Sequence, residues 1–250
     1  MNDSAAMHFH LSTGVVATRV FKEAKSVLNQ KIFSKVVYVG LWEPGLEEQE
    51  AHSSGLDIIR VKTLLRALQS NGYFQKRTAL RRVLAFFSFI EWCFKAIILA
   101  LKIHPKFIVC HNVVLLPVAY IATLISRTKL VYMPHELESE ASFLSASKKK
   151  IYKLIEILFS RNCHTVVAVN EPILQWYKDE IKIKNGYSLR NIPEFVELND
   201  RSKALRNKFS ISNDDIIFLY QGLLGCDRGI DNLIRVFEQV PTKHMMFMGY

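Results

Sequence analysis

Two signals alternate along the chain: a short apolar run of strand length, then a longer stretch with apolar residues at helical spacing. Residues 7–11 read as a first strand, and Ser12-Thr13-Gly14 as the turn that leads it into a helix. That helix is marked by Val16, Val20, Ala24, Val27 and Leu28, with Arg19 and Glu23 able to pair one turn apart on its wet side. Strands follow at 35–41 and 56–61, and the acidic segment 47–50 between them reads as a solvated loop. The pattern then continues with strands at 107–110, 129–133, 164–169 and 187–192. Helices separate them over 113–126, from Ser147 to Phe159, and from Asn170 onward, with Asn112, Ser147 and Asn170 as caps. Strand and crossover helix in alternation predict an α/β class with a Rossmann-like parallel sheet.

Residues 76–103 are the most apolar part of the chain, and the run from Val83 to Leu101 approaches the length of a membrane span. Glu91 and Lys95 interrupt it, and each would cost roughly 2.5 to 3.5 kcal/mol near the centre of a spanning helix. On a helical projection Arg77, Arg81, Ser88, Glu91, Lys95 and Lys102 fall within roughly 40° of one line. A narrow polar stripe beside a wide apolar remainder suits a helix sandwiched between the sheet and its neighbours. It also suits a helix whose apolar face, flanked by Lys76, Arg77, Arg81 and Arg82, rests on an anionic membrane.

Two places carry candidate chemistry. The strand at 129–133 runs straight into Pro134-His135-Glu136, so an imidazole arrives at a strand's carboxyl end, the edge where open parallel sheets bind their ligands. Glu136 either orients that imidazole or faces water, and His135 also reads as a loop histidine without a role. The second place lies beyond a polar stretch at 194–213, where a strand at 215–220 meets Gly222, Gly225, Arg228 and Gly229 just before a helical pattern begins at Ile230. Backbone N–H groups, a helix N-terminus and a guanidinium converge there, which is the chemistry of an anion site. A plain βα turn that needs glycine for its backbone angles accounts for the same residues.

Composition narrows the partners. A net charge of +10 suits an anionic partner, whether nucleotide, nucleic acid or acidic membrane. The basic residues are dispersed and not interleaved with exposed aromatics, which places nucleic acid last. Cys93, Cys110, Cys163 and Cys226 stand far apart without a C-x-x-C spacing, which argues against zinc and disulfides and fits a reducing cytoplasm. No G-x-G-x-x-G follows the first strand, so a nicotinamide-dependent oxidoreductase is disfavoured. The first 30 residues show no apolar core behind a basic start, so no secretory signal is expected.

The order of the motifs resembles the GT-B glycosyltransferases, specifically the large retaining group that takes sugars from nucleotide donors. CHN at 110–112, LVYMPHEL at 130–137, VVAVNEP at 166–172, RNIPE at 190–194 and YQGLLGCDRGIDNLI at 220–234 carry the resemblance. It implies an N-terminal Rossmann-like acceptor-side domain over 1–193, a linker over 194–213, and over 214–250 the first βαβ unit of a second, Rossmann-like donor domain, left incomplete. It implies that His135 reaches the donor sugar, that Gly222, Arg228 and Gly229 hold the donor diphosphate, and that Gly14, with Glu136, lies in the acceptor and donor loops. Leu223 stands where the family usually has a first basic residue, which leaves Arg228 to supply the charge. The activity implied is hexosyl transfer from a nucleotide sugar to a lipid-linked or polysaccharide acceptor, with no metal or other cofactor. The implied setting is the cytoplasm, in peripheral contact with the inner membrane face. No glutamate pair of the family's E-x-x-x-x-x-x-x-E spacing follows Arg228, so this chain alone is expected to turn over nucleotide sugar slowly or not at all, the alternative being a non-catalytic remnant that binds membrane or partner.

Overall fold

The computed structural model describes residues 4–15, 17–64, 66, 78–141, 144–193, 195, 197, 203–222, 224–225, 228–240 and 243–249. Val16, Lys76, Arg77, Glu194, Leu223, Cys226 and the side chain of Arg81, all used above, lie outside the described residues. The chain divides into two compact units, Met1–Asn191 and Ile192–Tyr250.

The first unit is built on one sheet, in the order β3-β4-β2-β1-β5-β6-β7-β8. Its strands are β1 (Ala5–Phe9), β2 (Lys35–Leu41), β3 (Gln49–Ser53), β4 (Leu56–Val61), β5 (Phe107–Cys110), β6 (Lys129–Tyr132), β7 (Thr165–Ala168) and β8 (Gly186–Ser188). All neighbours pair in parallel except β3, which runs antiparallel to β4 at the edge. Strand pleating splits the apolar residues between two faces. Ala6, Val36 and Tyr38 point to the side covered by α1 (Thr18–Asn29), where Val20 and Ala24 meet them. Met7, Phe9, Val37 and Val39 point the other way, into the main core. That side is covered by α2 (Thr78–Ile103), α3 (Leu116–Ser126) and α4 (Ala146–Phe159). The helix α5 (Glu171–Trp176), capped by Asn170 Oδ1 on the Ile173 N–H at 2.9 Å, links β7 to β8.

Small residues set the approach of α2 to the sheet. Ala96 and Ala100 are fully buried, and Trp92 fills the space between them and β1, its ring meeting Phe9 edge-on at 5.8 Å. The Trp92 Nε1–H donates to the Gly40 carbonyl at 3.0 Å, so the indole is buried with its one donor satisfied. Three members of the polar stripe of α2 bond to the chain beyond β4. Ser88 bonds Thr63, the Glu91 carboxylate accepts from the Leu64 N–H at 3.0 Å, and Lys95 Nζ donates to the Lys62 carbonyl at 2.7 Å. The stripe thus fastens α2 to the segment that leaves β4, and the apolar remainder is divided between the core and the surface.

Several local expectations change. The acidic segment at 47–50 runs into strand β3 because Arg60, buried on β4, reaches across to it: its guanidinium donates to the Glu47 carbonyl at 3.0 Å and pairs with Glu50 at 2.7 Å. That cation holds the Glu50 carboxyl below its ordinary value. Asn112 does not cap the helix after β5. Its Oδ1 accepts from the Leu11 N–H at 2.9 Å, and the Glu138 carboxylate takes the Val113 N–H at 3.2 Å instead. The cap of α4 is Ser145, two residues before Ser147. The last strand is three residues long rather than six, because only 186–188 find partners on β7.

The second unit contains α6 (Ala204–Phe209), β9 (Ile217–Gln221), α7 (Ile230–Glu238) and β10 (His244–Met248), with β9 and β10 paired in parallel. Phe218 and Phe237 meet edge-on at 5.2 Å between β9 and α7. Among its described residues none is buried. A cavity of about 740 Å³ opens between α6 and the strands, lined by Leu205, Phe209, Leu219 and Met246.

Candidate active site

The order of the first sheet fixes where chemistry can gather. From β1 the chain moves outward to β2 and β4, then crosses back over β1 to place β5 on its other side. The crevice beyond the carboxyl ends of β1 and β5 is therefore the topological switch point, where open α/β sheets take their ligands. Four histidines converge there. His8 lies on β1 and His10 just past it, His111 follows β5, and His135 follows β6.

Three of these rings form a chain. His135 Nε2 lies 3.1 Å from His111 Nδ1, and His111 Nε2 lies 2.9 Å from His8 Nδ1. The rings of His8 and His111 stack at 5.1 Å, and His10 leans on both His111 and His135. Burial drives His8 and His10 down to about 4, His8 further lowered by the neighbouring His10. His135 also falls to about 4, through burial and then the charges of His10 and Arg19. His111, fully enclosed, is pushed well below its ordinary value by burial and the same neighbours. At neutral pH all four rings are neutral. A neutral imidazole carries one N–H, so along the chain each ring donates at one nitrogen and accepts at the other.

A carboxylate lies near the far end of the chain, a Glu23 oxygen being within 4.8 Å of ligand nitrogens of His8 and His111. Arg19 and Glu23 pair at 2.8 Å on α1, with side chains only 8% and 13% exposed. They were expected on the wet side of α1. The structure turns them inward, because that face covers the His8 side of the sheet, where a polar pair has partners. Burial raises the Glu23 carboxyl above its ordinary value, and Arg19 opposes the shift. Glu23 Oε2 is buried without a hydrogen-bond partner. His8, Glu23 and His111 offer ligand atoms within 4.8 Å of one another, the one group among the described residues that can hold a metal ion. The Arg19 guanidinium beside it opposes a cation, and the ring-to-ring bonds already employ both His111 nitrogens and His8 Nδ1.

The loop after β1 is pinned from below. The Tyr38 hydroxyl donates to the Ser12 carbonyl at 3.0 Å and lies 3.1 Å from His10 Nδ1. With its proton so committed, the hydroxyl accepts from His10 Nδ1–H, which leaves Nε2 of that ring as an acceptor. Burial lifts the Tyr38 phenol to about 12. Arg60 Nε donates to the Thr13 carbonyl at 2.7 Å. Gly14 sits in this loop, buried at φ +84°, where a Cβ would lie 3.1 Å from the Tyr38 ring. Glycine is needed for both reasons. Glu136 is exposed, and the ring of His135 is oriented by His111 instead. Glu138, two residues on, is lifted to about 7, chiefly by burial and then by Glu156 and Glu136, against the Val113 N–H that holds it down.

In the second unit Gly229 stands at φ +68° as the residue before α7, with no side chain capping the helix. Arg228 is exposed beside it, and its N–H bonds the Gly225 carbonyl at 3.1 Å. Gly222 bonds the Met248 carbonyl through its N–H at 3.0 Å, and a Cβ on Gly249 would fall 2.1 Å from the Gly222 carbonyl. The turn is thus a close-packed crossing of two glycines followed by a bare helix N-terminus and a cation. Asp231 occupies the first turn of the same helix.

The first sheet with its helices, and the second βαβ unit after it, have the GT-B fold of glycosyltransferases. Against a sucrose-phosphate synthase from Thermosynechococcus elongatus the TM-score is 0.69 at 16% identity, over 98% of this chain and 62% of that one. HepE from Anabaena, solved with UDP and glucose, gives 0.64 at 14% identity over 97% and 60%. A glycosyltransferase from Rickettsia africae gives 0.62 at 13% over 100% and 60%. The chain spans about three fifths of the length of these structures. No protein-family model and no curated protein sequence matches it.

Proposed function

We propose that the chain serves sugar transfer from a nucleotide-diphosphate donor, with a lipid-linked or saccharide hydroxyl as acceptor and a hexose as the group transferred. The observation that carries this reading is the row of neutral imidazoles at the switch point of a GT-B sheet. His135 ends that row, and its Nδ1 makes no hydrogen bond to the described residues, which suits a group that meets a sugar hydroxyl. In this reading Arg228 and the N-terminus of α7 receive the diphosphate. Departure of a nucleoside diphosphate builds negative charge on its β-phosphate, and a fixed guanidinium with helix N–H groups lowers that barrier without a metal.

The experiment measures two things on the purified chain: UDP binding by ligand-observed NMR, and transfer of hexose from UDP-sugars to lipid-extract or oligosaccharide acceptors. Arg228→Ala is expected to remove UDP binding, whereas His135→Ala leaves UDP binding in place and removes transfer. UDP binding that ignores Arg228→Ala sinks the diphosphate assignment. UDP binding with no transfer in any extract selects the second reading, a non-catalytic remnant, which the absence of burial among the described residues of the second unit favours. Binding and transfer are expected to be indifferent to a chelator; loss on chelation would move the role to His8, Glu23 and His111.

A further inference from the structure

The outer surface of α2, α3 and α4 reverses the usual order of an amphipathic layer. Ser88, Glu91 and Lys95 of the polar stripe of α2 are bonded to residues 62–64, and α2 turns large apolar side chains to solvent: Phe86, Phe94 at 64% exposure, and Ile98. The helices α3 and α4 pack beside it in turn and continue the surface with Leu124, at 60%, and with Leu154 and Leu158. Soluble monomers rarely leave a contiguous apolar area wider than a few hundred Å² without a use for it.

The exposed charges that the three helices themselves carry are cationic; Glu180, paired with Lys153 at 2.9 Å, and Glu140 stand at the edge of α4. Glu91 and Glu156 are the only carboxylates in the sequences of the three helices; Glu91 is bonded to Leu64 and Lys95, and Glu156 is buried. Arg82, Lys95, Lys102, Lys148 and Lys150 are exposed. An apolar centre with a cationic border and no exposed carboxylate on the helices that form it matches the interface of an anionic bilayer, where acyl chains begin under a layer of phosphates. A second copy of the same face would set cation against cation. By length and composition 82–103 could also cross a membrane. Trp92, Ala96 and Ala100 lie in the core, however, so α2 is held in its layer, which suits resting on a bilayer and not crossing it.

We propose that the α2–α3–α4 face is a docking surface for an anionic lipid bilayer, inserting Phe86, Phe94 and the leucines beside them while the lysines meet the headgroups. The surface serves the chain whether or not it transfers sugar.

The test is flotation of the full chain with vesicles of phosphatidylcholine alone and of phosphatidylcholine mixed with phosphatidylglycerol. Binding is expected only to the anionic vesicles, and to weaken with salt. Lys148→Ala and Lys150→Ala are each expected to lower affinity about fivefold. Phe86→Ser with Phe94→Ser should abolish binding while circular dichroism and Trp92 emission stay as in the parent, since both side chains are exposed. The proposal is overturned if the folded parent ignores both vesicles, if it binds both equally, or if the double serine variant still binds. Resistance to alkaline extraction would overturn the interfacial placement, and a dimer dispersed by Phe94→Ser without vesicle binding would assign the face to a second copy.

Discussion

The two units use the same elements, parallel strands joined by a crossover helix, and only one of them has an interior. In the first, β1 sits between β2 and β5 with helices over both faces, and Met7, Phe9, Val37 and Ile108 are removed from water. In the second, two strands carry one helix across them, and none of the described residues is buried. A βαβ unit supplies geometry, and burial comes from the neighbouring strands that close it off. The described residues of the glycine turn and Arg228 are held without buried neighbours, whereas the four histidines are held by a packed core.

The widest separation should appear in hydrogen exchange. Amides of β1, β2 and β5 are expected to open only with global unfolding, at about 5–15 kcal/mol, while those of β9 and β10 exchange with a small fraction of that protection. Equal protection in both would break the comparison. Next in size is Trp92→Ala, expected to cost about 3–5 kcal/mol in a urea melt of the first unit, with no change in the exchange of β9 and β10. Acid comes third. His8, His10 and His135 have folded values near 4 against 6.5 in the open chain, so their stability is intact above 6.5 and falls as pH drops toward 4, where the unfolded chain takes protons that the folded cluster refuses. Glu138, raised to about 7, acts in the opposite sense, losing stability as pH rises from 4.5 through 7. Three groups against one leave a net loss on the order of a few kcal/mol in acid, visible as a falling melting temperature between pH 6.5 and 4. Stability that is flat across that window would mean the rings are charged in the fold. The smallest effect belongs to Gly229→Ala, which must hold φ +68° with a Cβ and is expected to cost about 1–2 kcal/mol, confined to exchange in α7.

Much of this fold was readable from pattern. The strands at 35–41, 56–61 and 107–110 are found at their expected bounds, because each is a predominantly apolar run largely buried within the sheet. The edges were harder. β3 is polar throughout and exists through Arg60, a partner that periodicity does not reveal. The inward stripe of α2 follows from bonds to residues 62–64, which lie outside the helix. At the site, His135 was legible from its place after a strand, whereas His8, His10 and His111 were not singled out. Their signal was present in two forms: the alternation His8-Phe9-His10 at the end of the central strand, and His111 directly after β5. Recognising it requires knowing that β1 and β5 are neighbours, and that is a property of strand order rather than of local sequence.

The row from His135 through His111 to His8 has one further consequence. Each neutral ring holds a single proton, so the three cannot be set independently, and the row as a whole has two states, pointing toward Glu23 or away from it. With the protons directed toward the Glu23 carboxyl, His135 shows an acceptor at its outer nitrogen; with them directed away, it shows a donor. A group that offers a proton to His135 and one that asks for a proton would therefore select opposite states of a row that ends two rings further on.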